Sequence, residues 1–319
     1  MSIVGSEVRA AMVAFVARRP QVAWCRRLPV PVAPDANPGA REQALVDVLV
    51  SLAGMVPRCR VVTALPGAAG IERLLRLPAM PEREMEGAVR WEAEQQIPVP
   101  LEGMLLRHVV LGPADGEGNQ ANVLIVAAPE QRVRDWQMLF ARAGLVLAAI
   151  DLPALALWRI VFGVPGTVPG DGVVAVADLE PGLVHLLVAD EGTILVTRNA
   201  AVNGSLESET SLLHLDVAAA AEGRGEPVLD AAAYGYALAE LRRFLEYVQS
   251  AYRQRPVERL LLTGSGAGVP GVAERLVGEL GLSVEVARLP LTVAEPEGEA
   301  DLGPAFAISA GLALWGVEG

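Results

Sequence analysis

The sequence predicts an α/β protein built from two similar halves. Of its 319 residues, 52% are hydrophobic and only 4% are aromatic, which is more typical of an α/β protein than of a disulfide scaffold. A chain of this length suits two domains or one bilobed unit. Each half begins with apolar runs typical of strands and continues into alternating helical and strand patterns. Residues 163–172, with two prolines and four glycines, separate the halves.

The first elements follow from apolar runs and the breaks between them. Residues 3–16 and 20–32 are apolar and β-branched, and we expect two early strands there. A linker rich in Pro, Asn and Gly (34–39) leads into a predicted helix at about 41–55. A strand is predicted at 60–65.

The segment Arg73–Pro100 has the clearest local pattern in the chain. Its apolar run closes on Pro78 and Pro81, which disfavour helix before them and permit a helix to begin after them. From Glu82 the spacing becomes helical, and acidic residues occupy the first turn, where the helix dipole favours negative charge. Residues three to four apart form one face: Met85, Ala88, Val89, Glu92 and Gln96. We expect an amphipathic helix that ends before Pro98.

The remaining elements alternate in the same way. In the first half we predict strands at 105–111 and 123–128, a helix at 129–143 that ends at Gly144, and a strand and helix within 146–162. The polar stretch 203–226 has no clear pattern. The second half is predicted to contain strands at 173–178, 183–190, 193–198, 257–263 and 284–287, and helices at 230–253, 272–280 and 304–315.

Composition excludes several classes of function. The formal net charge is -12 and the sequence contains no lysine, so nucleic-acid binding and a Walker phosphate loop are both disfavoured. Cys25 and Cys59 have no metal or redox spacing, which favours a reducing compartment. The three histidines, His108, His185 and His214, also lack metal-site spacing.

No membrane segment or signal peptide is expected. Glu7 and Arg9 interrupt the apolar N-terminus, which argues against a signal peptide. The most apolar window, 143–164, is broken by Asp151 and Arg159 and is too irregular for a bilayer span. We therefore expect a cytoplasmic protein that reaches a membrane only through a partner.

The Arg73–Pro100 segment also resembles a known family. Its letters are similar to the segment of the type IV pilus assembly protein PilM family that has the general form R-x-L-x-L-P-x-M-P-x-x-E-L-x-x-A-V-x-W-E-A-E-Q-x-I-P. The matching positions are Arg73, Leu75, Leu77, Pro78, Met80, Pro81, Glu84, Ala88, Val89, Trp91, Glu92, Ala93, Glu94, Gln95, Ile97 and Pro98. Further resemblances occur at 191–204, 238–250, 260–276 and 306–314.

The resemblance implies a fold and a division into domains. The family belongs to the actin-like ATPase superfamily with FtsA, so we expect an actin-like (ribonuclease H-like) two-lobed fold with a small inserted α+β subdomain in the first lobe. The first lobe is expected to comprise residues 1–66 plus 144–165. The inserted subdomain is expected at 67–143 and the second lobe at 166–319.

The resemblance also implies a nucleotide pocket between the lobes, and this chain departs from the family there. The first phosphate turn should resemble D-I-G-S-S-S-V-K, whereas residues 2–9 read SIVGSEVR and lack the aspartate. The second should resemble D-I-G-A-x-x-T, but Glu180 replaces its glycine and would repel phosphate. The glycine-rich loop at 264–271 matches the family motif well, although a closely packed strand-to-helix turn would use the same glycines.

Candidate nucleotide-binding residues follow from these motifs. They are Gly5, Ser6, Asp178, Gly182, Glu240, Arg243, Gly264 and Gly266. Asp178 is the candidate Mg²⁺ ligand, with a buried aspartate that caps a turn as the alternative, and no catalytic residue is assigned. We expect the pocket to have lost hydrolysis, with binding of ATP and Mg²⁺ left open.

The function implied by the resemblance is that of a scaffold in the type IV pilus inner-membrane assembly platform. Its expected partners are the cytoplasmic N-terminal tail of a PilN-like membrane protein and other platform proteins, which would recruit it to the inner face of the cytoplasmic membrane. The candidate partner-binding residues are Arg73, Leu75, Leu77, Arg90, Trp91 and Ile97, unless Trp91 and Ile97 are simply core. The alternatives are an active actin-like ATPase or small-molecule kinase, and a related secretion or division protein.

Overall fold

The computed structural model describes ten segments of the chain. They are residues 1–17, 19–33, 36–56, 59–65, 70–114, 118–164, 172–201, 231–252, 255–291 and 302–316. The polar stretch 203–226 and most of the 163–172 run lie outside them. Helices and strands alternate through the described residues, which confirms the predicted α/β class.

An antiparallel sheet begins the chain. Its strands are β1 (Ser2–Val4), β2 (Glu7–Val16) and β3 (Arg19–Pro29), in the order β1-β2-β3. The apolar pattern predicted one strand over 3–16, and this is wrong because Gly5 and Ser6 form a turn within it. Gly5 has φ 53°, a left-handed conformation that glycine adopts without strain, and the carbonyl of Ser6 accepts from the amide of Val30 at 2.7 Å.

A helix and a pair of parallel strands follow. Helix α1 (Pro38–Met55) begins three residues before its predicted start, because the Asn37 side chain accepts from the amide of Ala40 and a proline occupies the first turn. Strand β4 (Arg60–Ala64) runs parallel to the later strand β8 (Val146–Asp151). The buried face of α1 joins the core cluster that contains Trp136 and Phe140.

A second antiparallel sheet contains the Arg73–Pro100 segment. Its order is β5-β7-β6, formed by β5 (Ile71–Pro78), β6 (Met104–Pro113) and β7 (Gln120–Pro129). Helix α2 (Glu82–Gln96) has the predicted start and lays Met85, Val89 and Ala93 on this sheet. Helix α3 (Glu130–Arg142) follows β7 directly.

The C-terminal half contains a five-stranded mixed sheet. Strands β9 (Val173–Glu180), β10 (Leu183–Asp190) and β11 (Thr193–Ala201) form an antiparallel meander. Strands β12 (Val257–Thr263) and β13 (Ser283–Val286) continue the sheet in parallel with β9, in the order β11-β10-β9-β12-β13.

Helices cover both faces of this sheet. On one face lie α5 (Ala231–Ala251) and α6 (Val272–Leu280), packed on the odd-numbered residues of β9. On the other lie α4 (Pro153–Val161) and α7 (Ala307–Ala313), which also contact β2 and β3 through Val13, Val22 and Cys25. This central cluster joins the N-terminal sheet to the five-stranded sheet.

One predicted helix differs at the C-terminus, and a short turn that was not predicted lies in the glycine-rich loop. The terminal helix, predicted over 304–315, is a 3-10 turn at Pro304–Phe306 followed by α7. A second 3-10 turn, Gly266–Gly268, lies between β12 and α6. Among the described residues, none of the helices combines the length and the apolar character that crossing a membrane requires.

Candidate functional site

Polar side chains meet where β9 ends, between the N-terminal sheet and the five-stranded sheet. Side chains alternate across a strand, and Val174 and Val176 of β9 point toward α4 and α7. Asp178 and Glu180 continue this same face at the carboxyl end of the strand and are both buried. Because Glu180 precedes the turn at Pro181 and Gly182, its carboxylate lies beside the predicted second phosphate turn.

The Glu180 carboxylate has donors on both oxygens. Arg9 donates from Nη1 to Oε1, and from Nη2 to Oε2 at 3.1 Å. Ser265 donates its backbone N–H to Oε1 at 3.2 Å and its hydroxyl to Oε2 at 2.5 Å. Glu180 and Arg9 are each only 4% exposed. A bidentate arginine–carboxylate pair with two further hydrogen bonds satisfies a buried anion well.

Arg9 ties this cluster to two other parts of the chain. Its Nη1 also donates to the carbonyl oxygen of Ala305 at 3.0 Å, and its Nε donates to Glu7. Burial lowers the pKa of the Arg9 guanidinium, but the charges and hydrogen bonds of Glu180 and Glu7 outweigh burial and raise this pKa overall. Arg9 is therefore a fixed cation that connects β2, β9 and the start of the C-terminal 3-10 turn.

Asp178 lies next to this ion pair but differs from Glu180 in its hydrogen bonding and protonation. Its Oδ1 accepts from the hydroxyl of Thr263 at 2.7 Å, while its buried Oδ2 has no hydrogen-bond partner among the described residues. Burial, and next the charge of Glu180, raise the pKa of the Asp178 carboxyl to about 8, against the opposing effects of Thr263 and Arg9. This shift favours the neutral form of Asp178 in the protein without a bound cation.

Asp178 has no companion ligands for a metal ion within the described segments. There, no three His, Cys, Asp or Glu side chains are placed to share a metal ion. The Mg²⁺ assignment stays a prediction that rests on the resemblance alone.

The glycine-rich loop is shaped by close packing. Gly264 has φ 83°, and a Cβ at this position would lie 2.4 Å from the carbonyl oxygen of Leu179. Its amide also donates to the carbonyl of Pro304 at 3.0 Å. This geometry fits the packing explanation for the glycine, because β9 and the loop could not approach so closely with any side chain there. Gly266 begins the adjacent 3-10 turn.

The structure separates Glu240 and Arg243 from this cluster. Glu240 of α5 is buried and pairs with Arg243 at 2.6 Å and with Arg198 of β11 at 3.1 Å. Arg198 is in register with Leu186, which packs toward α5. These pairs therefore lie on the sheet face opposite Asp178 and Glu180 and help to attach α5 to β11.

A second polar network joins the β5-β7-β6 sheet to the five-stranded sheet. Glu72 of β5 accepts from the Thr197 hydroxyl at 2.9 Å and from Nδ2 of Asn199 at 2.8 Å, both on β11. Asn199 Oδ1 lies 2.8 Å from Nδ1 of His185, which must carry the proton because a carbonyl oxygen only accepts. Burial is the main cause of both pKa shifts: it raises the pKa of Glu72 and lowers that of His185. His185 is thus a neutral structural residue.

The predicted partner-binding residues do not form one groove. Three of them, Leu75, Leu77 and Ile97, are buried between α2 and its sheet and belong to the core instead of a binding surface. The other three, Arg73, Arg90 and Trp91, are exposed, and Trp91 is 61% exposed. Trp91 is two residues from both Val89 and Ala93, so helical spacing places it on the outer face of α2.

An apolar groove exists elsewhere, where sequence reasoning did not place one. It has a volume of about 1300 Å³ and lies between the end of the β2–β3 hairpin, the edge strand β6, helix α4 and the C-terminus. Its lining includes Phe15, Val109, Val110, Trp158 and Trp315. Val109 and Val110 are 43% and 51% exposed, and these adjacent exposed valines on an edge strand were the available sequence signal.

Comparisons with known proteins identify solved structures that are similar to this one. A structure described as a PilM–PilN type IV pilus biogenesis complex matches with a TM-score of 0.77 and 28% identity, covering 100% of this chain and 98% of that chain. The cytoplasmic domain of EpsL, from the type II secretion system of Vibrio cholerae, matches with a TM-score of 0.48 and 11% identity, covering 98% and 92%. A Bacteroides thetaiotaomicron protein with an actin-like ATPase fold matches with a TM-score of 0.46 and 10% identity, covering 90% and 88%.

The family assignment follows from the sequence match. The model of the family described as type IV pilus assembly protein PilM matches residues 43–219, which is more than half of the chain. The predicted actin-like α/β fold is confirmed. The chain therefore belongs to the type IV pilus assembly protein PilM family.

Proposed function

We propose that the protein is a cytoplasmic scaffold of the type IV pilus inner-membrane platform that binds the cytoplasmic tail of a PilN-like membrane protein. The observation that carries this proposal is the apolar groove beside β6. The similarity to a structure of a PilM–PilN complex supports it, because that match spans the whole chain. Recruitment to the inner face of the cytoplasmic membrane would then come from the partner.

The groove suits an extended peptide better than a small molecule. Its volume of about 1300 Å³ exceeds the roughly 300–1,000 Å³ that is usual for small-molecule sites. Strand β6 is an edge of its sheet, and its residues Val109 and Val110 line the groove. An edge strand offers backbone donors and acceptors, while apolar pockets select alternate side chains of the incoming peptide.

The rim of the groove is polar and fixed. Arg159 pairs with Asp151 at 2.5 Å, and Trp158 Nε1 donates to the carbonyl oxygen of Gly192 at 2.6 Å. The ion pair joins α4 to the end of β8, and the tryptophan hydrogen bond holds α4 against the β10–β11 turn. A preformed groove loses little entropy when a peptide binds, which favours affinity.

The exposed residues of the Arg73–Pro100 segment have a separate place in this proposal. Arg73, Arg90 and Trp91 are candidate contacts for another platform protein, since an exposed tryptophan beside charged residues is typical of interaction surfaces. We also propose that the chain forms two lobes with one inserted subdomain. The first lobe comprises 1–66 plus 144–165, the insertion 67–143 and the second lobe 166–319.

The alternative, an active actin-like ATPase or small-molecule kinase, has less support. Phosphoryl transfer needs donors and a metal placed around the transferring phosphate. Here Arg9 and Ser265, which could contact a phosphate, are bound to Glu180 instead. A steady release of phosphate at saturating MgATP that collapses in Asp178→Ala would establish the ATPase instead.

A matched pair of valine substitutions tests the groove. Calorimetry would measure binding of a peptide with the sequence of the PilN-like N-terminal tail to wild type, Val110→Glu and Val146→Glu. Val146 is also an exposed strand valine but lies on β8, outside the groove lining. We expect Val110→Glu to weaken binding at least tenfold, because it places a charge in an apolar contact, and Val146→Glu to bind as wild type does.

Two results would count against this assignment. Equal affinity of all three proteins would remove the groove from the proposal. Loss of binding in Trp91→Ala with full binding in Val110→Glu would move the tail to the outer face of α2.

A further inference from the structure

The site where β9 ends is arranged to hold an oxyanion. Arg9 supplies two guanidinium N–H groups, and Ser265 supplies a backbone N–H and a hydroxyl. These four donors converge beside the β9–β10 turn from elements far apart in the chain: Arg9 and Ser265 are 171 and 85 residues from Glu180. Arginine forks and converging backbone amides are the groups that bind phosphate in proteins.

The occupant of this site is the chain's own carboxylate. We propose that Glu180 is an intramolecular ligand that takes the position of a nucleotide phosphate on Arg9 and Ser265. By this contact it holds the N-terminal sheet and the five-stranded sheet together without a nucleotide. Glu180 stands where the related phosphate turns have glycine, and a glycine there would leave the four donors free. This site is separate from the apolar groove, and its role does not depend on the proposed peptide partner.

A bound phosphate does not fit while Glu180 is in place. The carboxylate is 4% exposed and already accepts from all four donors, so a phosphate would have to displace it. A displaced Glu180 would leave a negative charge beside the incoming anion, and like charges at this distance repel strongly in a buried site. The nucleotide that the fold family implies is therefore excluded by a residue of this chain.

The same contacts hold distant parts of the chain together. The Arg9 Nη1 that binds Glu180 also donates to Ala305, just before α7, and α7 packs on α4 between the sheets. One guanidinium thus joins the N-terminal sheet, the five-stranded sheet and the 3-10 turn that precedes α7. Proteins that use a nucleotide for this purpose can open when it leaves, whereas a covalently tethered carboxylate cannot leave.

Removing the carboxylate should create an anion-binding site. Glu180→Gly restores the residue of the related turns, and Glu180→Ala removes the carboxylate while it keeps the strand conformation. Thermal unfolding would be followed for both variants and wild type with inorganic phosphate, pyrophosphate or MgATP, and with sodium chloride at equal ionic strength. We expect both variants to unfold several degrees below wild type and to recover at least half of that loss with about 10 mM phosphate or pyrophosphate, because a ligand that binds only the folded state stabilises it.

Controls separate this role from an ordinary structural one. Wild type should show no anion-dependent shift and no calorimetric binding of MgATP. The double variant Arg9→Met/Glu180→Met, which replaces the pair by apolar side chains, should not respond to phosphate either, because the guanidinium is lost. Sodium chloride should not replace phosphate in any variant.

Several outcomes would overturn the proposal. Wild type that binds MgATP or pyrophosphate would show that Glu180 does not block the site. Glu180→Gly and Glu180→Ala variants that keep the stability of wild type would show that the carboxylate holds nothing together. Variants that fail to recover with any of the anions, whether folded or not, would show that the site accepts no exchangeable phosphate.

Discussion

A single methyl group at Gly311 tests the central packing of the protein. Helices α4 and α7 cross so closely that a Cβ on Gly311 would lie 1.9 Å from the carbonyl oxygen of Ala156 and 2.5 Å from its carbonyl carbon. Ordinary contact begins at 3.4 Å. The helices would therefore have to separate by about 1.5 Å, the difference between 1.9 and 3.4. The clashing atoms are backbone and cannot rotate away.

The expected loss follows from two opposing effects. Overpacking of a core costs about 1–3 kcal/mol and occasionally more, and a backbone clash belongs at the upper end of that range. Replacing glycine by alanine within a helix returns about 1 kcal/mol at most. We expect Gly311→Ala to reduce the free energy of unfolding by about 2–3 kcal/mol and to lower Tm by about 3–5 °C.

The assay compares two glycine-to-alanine variants by thermal and urea unfolding. Gly87→Ala is the control because Gly87 lies in the middle of α2 and is exposed, and a Cβ there would meet nothing within 4 Å beyond its chain neighbours and its own helix backbone. This variant should be as stable as wild type or up to about 1 kcal/mol more stable. If Gly311→Ala is as stable as Gly87→Ala, the close crossing of α4 and α7 is not present in solution and the reasoning is wrong.

Three further predictions concern buried polar groups and tryptophans. The fold raises the pKa of Asp178 to about 8, so the native state holds a proton that the unfolded chain releases. The free energy of unfolding of wild type should therefore fall by up to about 1 kcal/mol per pH unit as the pH rises from about 4 to 8. Asp178→Asn should flatten this dependence in urea midpoints measured from pH 5 to 8, and parallel curves would contradict the raised pKa. Glu72→Ala should cost about 1–3 kcal/mol, because it leaves the donors of Thr197 and Asn199 without their acceptor, whereas exposed Glu94→Ala should change urea stability little. The free energy of unfolding of Trp91→Ala should stay within about 0.5 kcal/mol of wild type, while that of the buried-site variant Trp136→Ala should fall by about 3–5 kcal/mol. Equal losses in unfolding experiments would contradict the exposure of Trp91 and the burial of Trp136.

Elements with strong local signals could be predicted from the sequence. The start of α2 follows from Pro81 and from the acidic first turn, and its end precedes Pro98. The meander β9–β11 follows from three apolar runs separated by turn residues. The apolar pattern continues through the turn at Gly5 and does not reveal it, whereas the resemblance of residues 2–9 to a family turn motif does indicate it.

The buried face of α2 can also be predicted from the spacing of its apolar residues. Met85, Val89 and Ala93 are four residues apart and form the buried stripe of α2. Trp91 lies off this stripe, so its exposure was available from spacing alone. The burial of Leu75, Leu77 and Ile97 was not, because it depends on which side of the sheet α2 covers.

The sequence by itself determined the α/β class, most of the helices and strands, and the family, because these depend on local spacing and on the order of residues in short motifs. It also showed that a glutamate replaces a glycine in the second phosphate turn. Only the tertiary structure decided what that glutamate does, since its partners Arg9 and Ser265 lie 171 and 85 residues away in the chain. The apolar groove is a tertiary feature for the same reason. Its walls come from β2, β6, α4 and the C-terminus, and no local pattern encodes how separate elements meet.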